Sequence, residues 1–564
     1  MRLAQTSDLW WKNAVIYCVD PETFFDNDGD GTGDFGGLTQ RVDYLAALGV
    51  SCIWLMPFYP SPDRDDGYDV TGFYGVDARL GTLGDVVEFI RAAKDRGMRV
   101  IADFVINHTS DQHPWFKEAR KSVDSPYRDY YVWRSDPPPD TSDQVVFPGE
   151  ETAIWTQDSA SGEWYLHMFA KHQPDLNVAN PKVRDEIAKS MGFWLQVGLD
   201  GFRLDAVPFF LELRGEPEDE AARTDPHDYL SALRSFLNRR NGSAVLLGEV
   251  NLPYKEQLKY FGGPEGNELN MQFDFLTMQN MYLSLAREDA RPLAKTLAGR
   301  PAIHPDNQWA MFVRNHDELT LDKLSVTERE EVFAAFGPDE DMQMYGRGLR
   351  RRLPTMLNGD PARIRMVYSL LFSLPGTPVL FYGEEIGMGE NLEIKGRGAV
   401  RSPMQWNDTQ NGGFSIAPAD QLVAPLVEGY FGPKNVNAAG AKRDPGSLWN
   451  FMATLIQRYR ESPELGWGRF EVIEQPHPRV LLHRCTSDGS TLVLAHNMGS
   501  QPAALIASVA SPNEPERSYG GTVLLDLLDG EDIEVEDDGG FELQLDRYGF
   551  RWFRLQHPQD RRIL

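Results

Sequence analysis

The chain has 564 residues, of which 41% are hydrophobic and 25% are charged, so it is long enough for several domains and can bury a large core. Its 56 basic and 84 acidic side chains give a net charge of −28, which argues against binding nucleic acid or an anionic membrane, because both need basic patches. The widely separated Cys18, Cys52 and Cys485 predict neither a disulfide framework nor a thiolate metal site, and favour the reducing cytoplasm.

The N-terminal residues contain no uninterrupted apolar stretch after a basic start, so we expect no signal peptide and no membrane-spanning helix. From there, short apolar strands alternate with amphipathic helices: "AVIYCV", "GGLTQRVDYLAALGV", "CIWLMPF", "LGDVVEFIRAAKDRG", "MRVIADFVINH", "PKVRDEIAKSMGFWLQVG", "LDGFRLDAV", "AVLLGEVN", "QWAMFVRNHDE" and "GTPVLFYGEEIG". Repeated strand–helix units indicate a parallel sheet with right-handed crossovers. About eight such units predict a (β/α)8 TIM barrel, which we assign to residues 1–108 and 178–467.

Three segments interrupt this rhythm. Residues 109–177 are rich in Pro, Asp, Trp and Tyr and are predicted to be a domain inserted between the third strand and its helix. Residues 318–360 are predicted to be a helical, lid-like insert, whose "RGLRRRL" stretch is expected to form a solvent-facing helix surface. Residues 468–564 contain short alternating strands, which are typical of a C-terminal antiparallel β-sandwich.

Polar side chains cluster where the predicted barrel strands end. Catalytic groups of such barrels sit at the carboxyl ends of the strands, and here these ends supply Asp103, Asn107, His108, Arg203, Asp205, Glu249, His316 and Asp317. Converging carboxylates raise one another's pKa and destabilise a fold, so this arrangement indicates a functional site. In "GFRLDAV", Arg203 and Asp205 share one face of a strand, and we expect Arg203 to keep Asp205 ionised.

Well-separated carboxylates of this kind suit glycoside transfer. One carboxylate attacks the anomeric carbon, and a second, with a raised pKa, protonates the leaving oxygen. Tyr68, Trp115 and Phe169 are predicted to present aromatic faces to the sugar.

The motifs "ADFVINH", "GFRLDAV", "LLGEVN" and "FVRNHDE", together with "QPDLN", resemble the ordered motifs of the α-amylase superfamily, glycoside hydrolase family 13. The resemblance implies that Asp205 is the nucleophile, Glu249 the general acid/base and Asp317 the transition-state stabiliser. It also implies a glucose-binding subsite formed by Asp65, Tyr68, His108, Arg203, His316 and Arg401.

Within that family, "SPDRDDGYDV", "RNHDELTL" and "VRSPMQW" are most similar to trehalose synthases and related α-glucosidases. This similarity implies a retaining enzyme that interconverts maltose and trehalose with some hydrolysis; the alternative is an α-glucosidase that hydrolyses trehalose, maltose or a related disaccharide. The implied binding partner is therefore a small disaccharide. Formation of a homo-oligomer is left as an open alternative. Glu22, Gly248 and the "GRG" stretch Gly396–Gly398 depart from the family pattern and are expected to alter how the second sugar is held.

The stretch "DNDGDGTGD" predicts a cation site. Asp26, Asp28, Asp30 and Asp34 lie at alternate positions, with the Thr32 carbonyl completing the run, and oxygen ligands at this spacing suit Ca²⁺ or Mg²⁺. A solvated acidic turn is the alternative interpretation.

A second structural cation is implied by the resemblance alone. Its ligands would be Asn107, Asp175 and Glu212, with the backbone carbonyls of Phe209 and Phe210. No organic cofactor is expected.

Overall fold

Eight parallel strands form a closed barrel at the centre of the molecule, in a computed structural model that describes residues 9–211, 225–510, 518–528 and 530–558. The first strand pairs with both the second and the eighth, which closes the sheet. In chain order the barrel strands are Ile16–Val19, Cys52–Leu55, Arg99–Phe104, Gly201–Leu204, Val245–Gly248, Met271–Phe273, Gln308–Phe312 and Thr377–Phe381. Nearly every residue of these strands is buried, as expected for parallel strands covered on both faces.

The sixth barrel strand was not identified from the sequence. Met271–Phe273 has only three residues, with the polar Gln272 at its centre, and it runs directly into the helix Phe275–Arg287. A strand this short has no alternating pattern that distinguishes it from the start of a helix.

Helices connect the barrel strands and begin at polar capping residues. The helices of the barrel region are Phe35–Leu48, Leu83–Asp95, Pro181–Val197, Val207–Leu211, Pro226–Arg240, Tyr254–Tyr260, Phe275–Arg287, Arg291–Ala298, Pro361–Ser373, Ala438–Arg443, Leu448–Arg460 and Pro463–Trp467, with a short turn at Pro21–Phe24. Several begin where a side-chain oxygen accepts a bond from a first-turn amide: Asp34, Thr82, Asn180, Asp225, Asp274, Asp360 and Ser447. These caps satisfy amides that have no partner within the helix.

Between the third barrel strand and its helix lies a small separate unit. It contains the helix Pro114–Ala119 and a three-stranded antiparallel sheet of Trp133–Arg134, Trp155–Gln157 and Trp164–Leu166. A cluster of Val132, Ile154, Leu166 and Met168 forms its core.

The segment 318–360 is of mixed structure, rather than helical as predicted. It has the helix Val326–Phe336, the short helix Leu353–Met356, and a three-stranded sheet of Leu319–Thr320, Gln343–Met344 and Gly348–Leu349. The prediction that "RGLRRRL" is a solvent-facing helix surface is wrong, because this stretch is extended and Arg352 within it is buried.

After the barrel, the chain forms two antiparallel sheets. The larger contains Arg469–Val472, Val480–Ser487, Ser490–Asn497, Val523–Asp526, Ile533–Glu534 and Phe550–Gln556, and the smaller pairs Ala503–Ser508 with Gly540–Leu545. Alternate residues of the smaller sheet are buried in a core that includes Leu482, Val493, Leu543 and Phe553. The predicted fold class, a (β/α)8 barrel with a C-terminal antiparallel β-domain, is confirmed.

Within the described residues, none of the helices has the length and apolar character needed to cross a membrane. Cys18, Cys52 and Cys485 are all buried free thiols.

Candidate active site

Arg203 lies at the centre of the polar groups at the carboxyl end of the barrel. Its Nη1 is 2.6 Å from Asp205 Oδ1 and 2.6 Å from Asp103 Oδ1, and its Nη2 is 2.8 Å from Glu249 Oε2. The side chain is fully buried. One guanidinium therefore joins carboxylates from three neighbouring barrel strands, which explains why an ion pair lies on one face of an otherwise apolar strand.

Asp103 holds this guanidinium in place through its own hydrogen bonds. The indole of Trp54 donates to its Oδ2 at 2.7 Å, and the Tyr68 hydroxyl donates at 3.2 Å. The same hydroxyl is 2.7 Å from His316 Nε2, and the two rings stack with centroids 5.6 Å apart. The sequence placed Asp103 at a strand end but gave it no role; the structure shows that it orients Arg203.

Ala206, which follows Asp205, adopts a left-handed backbone conformation with φ 49°. This conformation is unfavourable for a residue with a Cβ and is concentrated at functional sites. It points the Ala206 amide at Glu249 Oε2, 3.3 Å away, and the next amide, of Val207, donates to the Glu249 carbonyl at 3.2 Å. The strained turn thus fixes Asp205 and Glu249 relative to each other.

Asp317 is held by a different set of arginines. Arg397 Nη1 and Arg401 Nη2 both contact its Oδ1, at 2.9 Å and 3.1 Å. Arg314 donates to its backbone carbonyl at 2.5 Å, and Arg401 Nε donates to the His316 carbonyl at 2.8 Å. Arg397 was not among the site residues predicted from the sequence, where only the unusual glycines on either side of it stood out. Its position in a glycine-rich loop after the eighth strand could have indicated a site residue.

The three carboxyls titrate differently. Burial raises the pKa of Asp205 to about 6 and that of Glu249 to about 7, although Arg203 opposes both shifts. Burial would also raise the pKa of Asp317, but Arg397 and Arg401 hold it well below its usual range. Near neutral pH, Glu249 is therefore the carboxyl of this group most able to carry a proton.

The two site histidines are neutral at pH 7. Burial lowers the pKa of His108 to about 3 and that of His316 well below its usual value. His108 Nε2 lies 3.2 Å from the Tyr68 carbonyl, so the ring nitrogen donates to it. Both rings are held by hydrogen bonds within the site, His108 to the Tyr68 carbonyl and His316 to the Tyr68 hydroxyl, and they add no charge to it.

A cavity of about 430 Å³ opens above these groups, within the size range of small-molecule sites. Most of the predicted site residues line it: Asp65, Tyr68, His108, Asp205, Glu249 and Asp317. The remaining three, Arg203, His316 and Arg401, are buried and contact these lining residues. At one end of the cavity, Asp65 accepts a hydrogen bond from Gln173 of the "QPDLN" motif at 2.6 Å.

Aromatic side chains cover part of the cavity wall. Phe147, Phe169 and Phe209 line it together with Tyr68. Trp115, which we expected to face the sugar, instead packs against Phe73 with ring centroids 5.9 Å apart, so that prediction is wrong.

Two insertions meet over the cavity and form a roof. Gln144–Phe147 comes from the segment 109–177, and Glu318 and Arg347 come from the segment 318–360. The rings of Phe147 and Tyr345 stack at 5.4 Å, the Tyr345 hydroxyl donates to Glu150 at 3.0 Å, and Arg347 donates to the Val146 carbonyl at 2.8 Å. These contacts join the two segments directly.

The three departures from the family pattern have different surroundings. Glu22 pairs with Arg79 at 3.1 Å, and its carboxylate lies within 4.8 Å of that of Asp66, the partner of Arg401, but Glu22 itself does not line the cavity. A Cβ on Gly248 would lie 2.3 Å from Leu269 Cδ1, so this packing requires glycine. The "GRG" stretch brings Arg397 to the cavity wall.

Three of the predicted cation ligands in the acidic loop after the first strand lie close together. Carboxylate oxygens of Asp26, Asp28 and Asp34 lie within 4.8 Å of one another. Asp30 is exposed, and its carboxylate accepts the Thr32 amide at 2.7 Å. The converging oxygens fit a hard cation such as Ca²⁺.

The second proposed ligand set is brought together only in part. The Asn107 side-chain amide donates to Asp175 Oδ1 at 3.1 Å. Phe209 and Phe210 lie in the helix Val207–Leu211, and Glu212 lies outside the described residues.

Comparisons with known proteins agree with this geometry. Residues 16–332 and 349–468 match the family model of the α-amylase catalytic domain, and residues 489–554 match that of the sucrose hydrolase-like C-terminal domain. A trehalose synthase from Pimelobacter sp. (strain R48) is 38% identical over 561 residues, covering 97% of this chain and 96% of that protein. An oligo-1,6-glucosidase from Parageobacillus thermoglucosidasius is 31% identical, covering 87% of this chain and 91% of that protein.

Solved structures show the same architecture. The trehalulose synthase from Pseudomonas mesoacidophila MX-45 superposes with a TM-score of 0.74 and 26% identity, covering 97% of this chain and 99% of that one. The α-amylase from H. orenii superposes with a TM-score of 0.77 and 26% identity, covering 97% of this chain and 100% of that one. Because the catalytic-domain model and the full-length relatives both match the segments that build the cavity, this chain belongs to the α-amylase family, glycoside hydrolase family 13.

Proposed function

We propose that the protein interconverts maltose and trehalose by a retaining mechanism through a covalent glucosyl-enzyme, with some hydrolysis. The observation that carries the retaining mechanism is the single guanidinium of Arg203, which Asp205 and Glu249 share. Two carboxylates on one guanidinium favour the short separation of about 5–5.5 Å of retaining glycosidases over the wider gap that admits a water.

Each carboxyl has a role that matches its pKa. Asp205 attacks the anomeric carbon while Glu249 gives its proton to the departing glycosidic oxygen, so one C–O bond forms as another breaks. Glu249, now ionised, then takes the proton from the incoming hydroxyl, and Asp205 leaves. Asp317, whose negative charge is secured by two arginines, holds the sugar hydroxyls and stabilises the cationic transition state.

Isomerisation requires that the released glucose stays beside the glucosyl-enzyme and attacks it through a different hydroxyl. The contacts of Phe147 with Tyr345 and of Arg347 with the Val146 carbonyl support such retention, because segments that cover a site reduce the access of competing water. The relatives at 38% identity that carry the name trehalose synthase support the same conclusion.

The test is incubation with maltose in the presence of isotopically labelled glucose. We expect trehalose together with some free glucose, and little label in the trehalose, since the glucose is retained during the reaction. Glucose as the only product would contradict the isomerase proposal. It would support the α-glucosidase alternative, for which relatives named oligo-1,6-glucosidase provide a precedent.

We further propose a structural divalent cation, Ca²⁺ or Mg²⁺, at the loop of Asp26, Asp28 and Asp34. Its support is the convergence of their oxygens, and a structural rather than catalytic role is supported by the fact that none of these three residues lines the cavity. We place the protein in the cytoplasm, which its three buried free thiols support.

A further inference from the structure

The buried Arg352 makes all its side-chain hydrogen bonds to backbone carbonyls. Nε and Nη2 donate to the Val400 carbonyl at 3.0 Å and 2.7 Å, and Nη1 donates to the Tyr382 carbonyl at 2.8 Å. The side chain is 2% exposed. The guanidinium also lies over the rings of Phe381 and Tyr382, 4.5 Å and 5.1 Å from their centroids, and these cation–π contacts offset part of the cost of burying it. An apolar residue of similar size would still be less costly to bury, so the three directed hydrogen bonds point to a role in fixing the two carbonyls.

The two preceding arginines, Arg350 and Arg351, bind other residues of the loop that contains Val400. Arg350 Nη1 and Nη2 donate to the carbonyls of Ile394 and Leu392 at 2.6 Å and 2.8 Å. Arg351 Nε lies 2.9 Å from Glu390 Oε1, and the Arg352 amide donates to the other oxygen of that carboxylate at 2.8 Å. Three consecutive arginines thus fix the segment 390–401, which we call the anchored loop, near its start, its middle and its end.

The anchored loop carries both arginines that contact Asp317. Arg397 lies in the 3-10 turn Gly396–Val400, and Arg401 follows it directly. The carbonyl held by Arg352 is that of Val400, one residue before Arg401. A shift of this carbonyl would therefore move the guanidinium groups of Arg397 and Arg401 on Asp317, although Arg352 itself does not line the cavity.

We propose that Arg352 and Arg350 are positioning residues that set the geometry of Asp317 through the anchored loop. This inference rests on the proposed function, in which Asp317 stabilises the transition state. It assigns a role to "RGLRRRL" that neither its charge nor its position in the sequence indicated.

The test compares Arg352→Lys and Arg350→Lys with wild type, using maltose and the activated substrate α-glucosyl fluoride. Lysine keeps the charge but cannot bond two carbonyls with a planar fork. We expect Arg352→Lys to lower kcat about 10- to 100-fold, the effect of a misplaced catalytic group, with KM changed less. Because Arg350 is only partly buried, the Arg350→Lys variant should show a smaller loss of kcat, again with KM changed less.

A double-mutant cycle separates positioning from a general structural role. In an Asp317→Asn background, measured with α-glucosyl fluoride, Arg352→Lys should add little further loss, because the group it positions is already disabled. The matched control is Arg363→Lys. Arg363 also bonds a backbone carbonyl, that of Leu285 at 2.7 Å, but it does not touch the anchored loop in the described structure.

Several outcomes would overturn the proposal. Equal losses from Arg352→Lys in the two backgrounds, or a loss no larger than that of Arg363→Lys, would contradict the positioning role alone. If Arg352→Lys fails to fold, Arg350→Lys in the same cycle decides the question. A folded wild type that turns over no α-glucoside would overturn the proposed function and the positioning role together.

Discussion

Replacing Asp205 by asparagine should abolish turnover and, at the same time, stabilise the fold at neutral pH. Burial raises the pKa of Asp205 from 3.8 to about 6, so the ionised carboxylate is less stable in the folded than in the unfolded chain. A shift of about two units corresponds to roughly 3 kcal/mol. This cost is fully present well above pH 6, shrinks as the pH falls from 6 towards 3.8, and disappears below 3.8, where the carboxyl is protonated in both states.

The assay is chemical unfolding of wild type and Asp205→Asn at pH 7.5 and at pH 4, alongside kcat on maltose. We expect a gain in unfolding free energy of about 2–3 kcal/mol at pH 7.5 that shrinks below about 1 kcal/mol at pH 4, and a kcat lower by several orders of magnitude. The control is Asp200→Asn, at the other end of the same strand. Asp200 accepts bonds from Arg99 at 3.2 Å and the Val100 amide at 3.0 Å, so its loss should destabilise the fold and leave catalysis intact.

Either of two results would refute this reasoning. Near-normal turnover by Asp205→Asn would exclude the covalent mechanism, since an amide cannot form the glucosyl-enzyme. A gain in stability of equal size at both pH values would show that the effect comes from packing rather than from a raised pKa.

Three further predictions concern the same site and the acidic loop. The pH profile of kcat/KM should rise through about pH 6 as Asp205 ionises and fall above about pH 7 as Glu249 loses its proton; a profile flat from pH 5 to 8 would contradict these assignments. Gly248→Ala should lower kcat/KM about tenfold, because the new Cβ would lie 2.3 Å from Leu269 Cδ1 and displace the neighbouring acid, and adding Leu269→Ala should restore part of the activity. Added Ca²⁺ should raise the thermal midpoint of wild type but not that of Asp26→Asn, while kcat stays the same in both, so an equal response of the two proteins would exclude this loop as the cation site.

The sequence was sufficient to predict the residues that lie at strand ends. A parallel barrel brings the carboxyl ends of its strands to one face, so Arg203, Asp205 and Glu249 had to be close once the strands were identified. The resemblance of the motifs to those of the family then implied which carboxylate is the nucleophile, which is the general acid/base and which stabilises the transition state. Even the missing sixth strand, Met271–Phe273, did not affect this result, because it supplies none of these groups.

What could not be predicted depends on contacts between distant loops. Arg397 meets Asp317, and Arg352 meets the Val400 carbonyl, across segments that no local periodicity connects. Charge patterning correctly shows that "RGLRRRL" is basic, but solvent exposure is only the commonest environment of such a stretch. Here the guanidinium groups bond backbone carbonyls of a neighbouring loop, and carbonyls leave no trace in side-chain composition.

The distribution of arginines among the carboxylates explains how one cavity keeps three acids in different protonation states. Arg203 serves Asp103, Asp205 and Glu249 at once, so each receives only a share of one positive charge, and burial prevails in raising the pKa. Asp317 receives both Arg397 and Arg401 on a single oxygen. Although these arginines also pair with Glu318 and Asp66, the two charges prevail over burial there. The same desolvated surroundings thus produce a proton donor in one place and a permanent anion in another, because the ratio of arginines to carboxylates differs. The anchored loop, which supplies Arg397 and Arg401, is therefore as much a determinant of the chemistry as the barrel that carries the carboxylates.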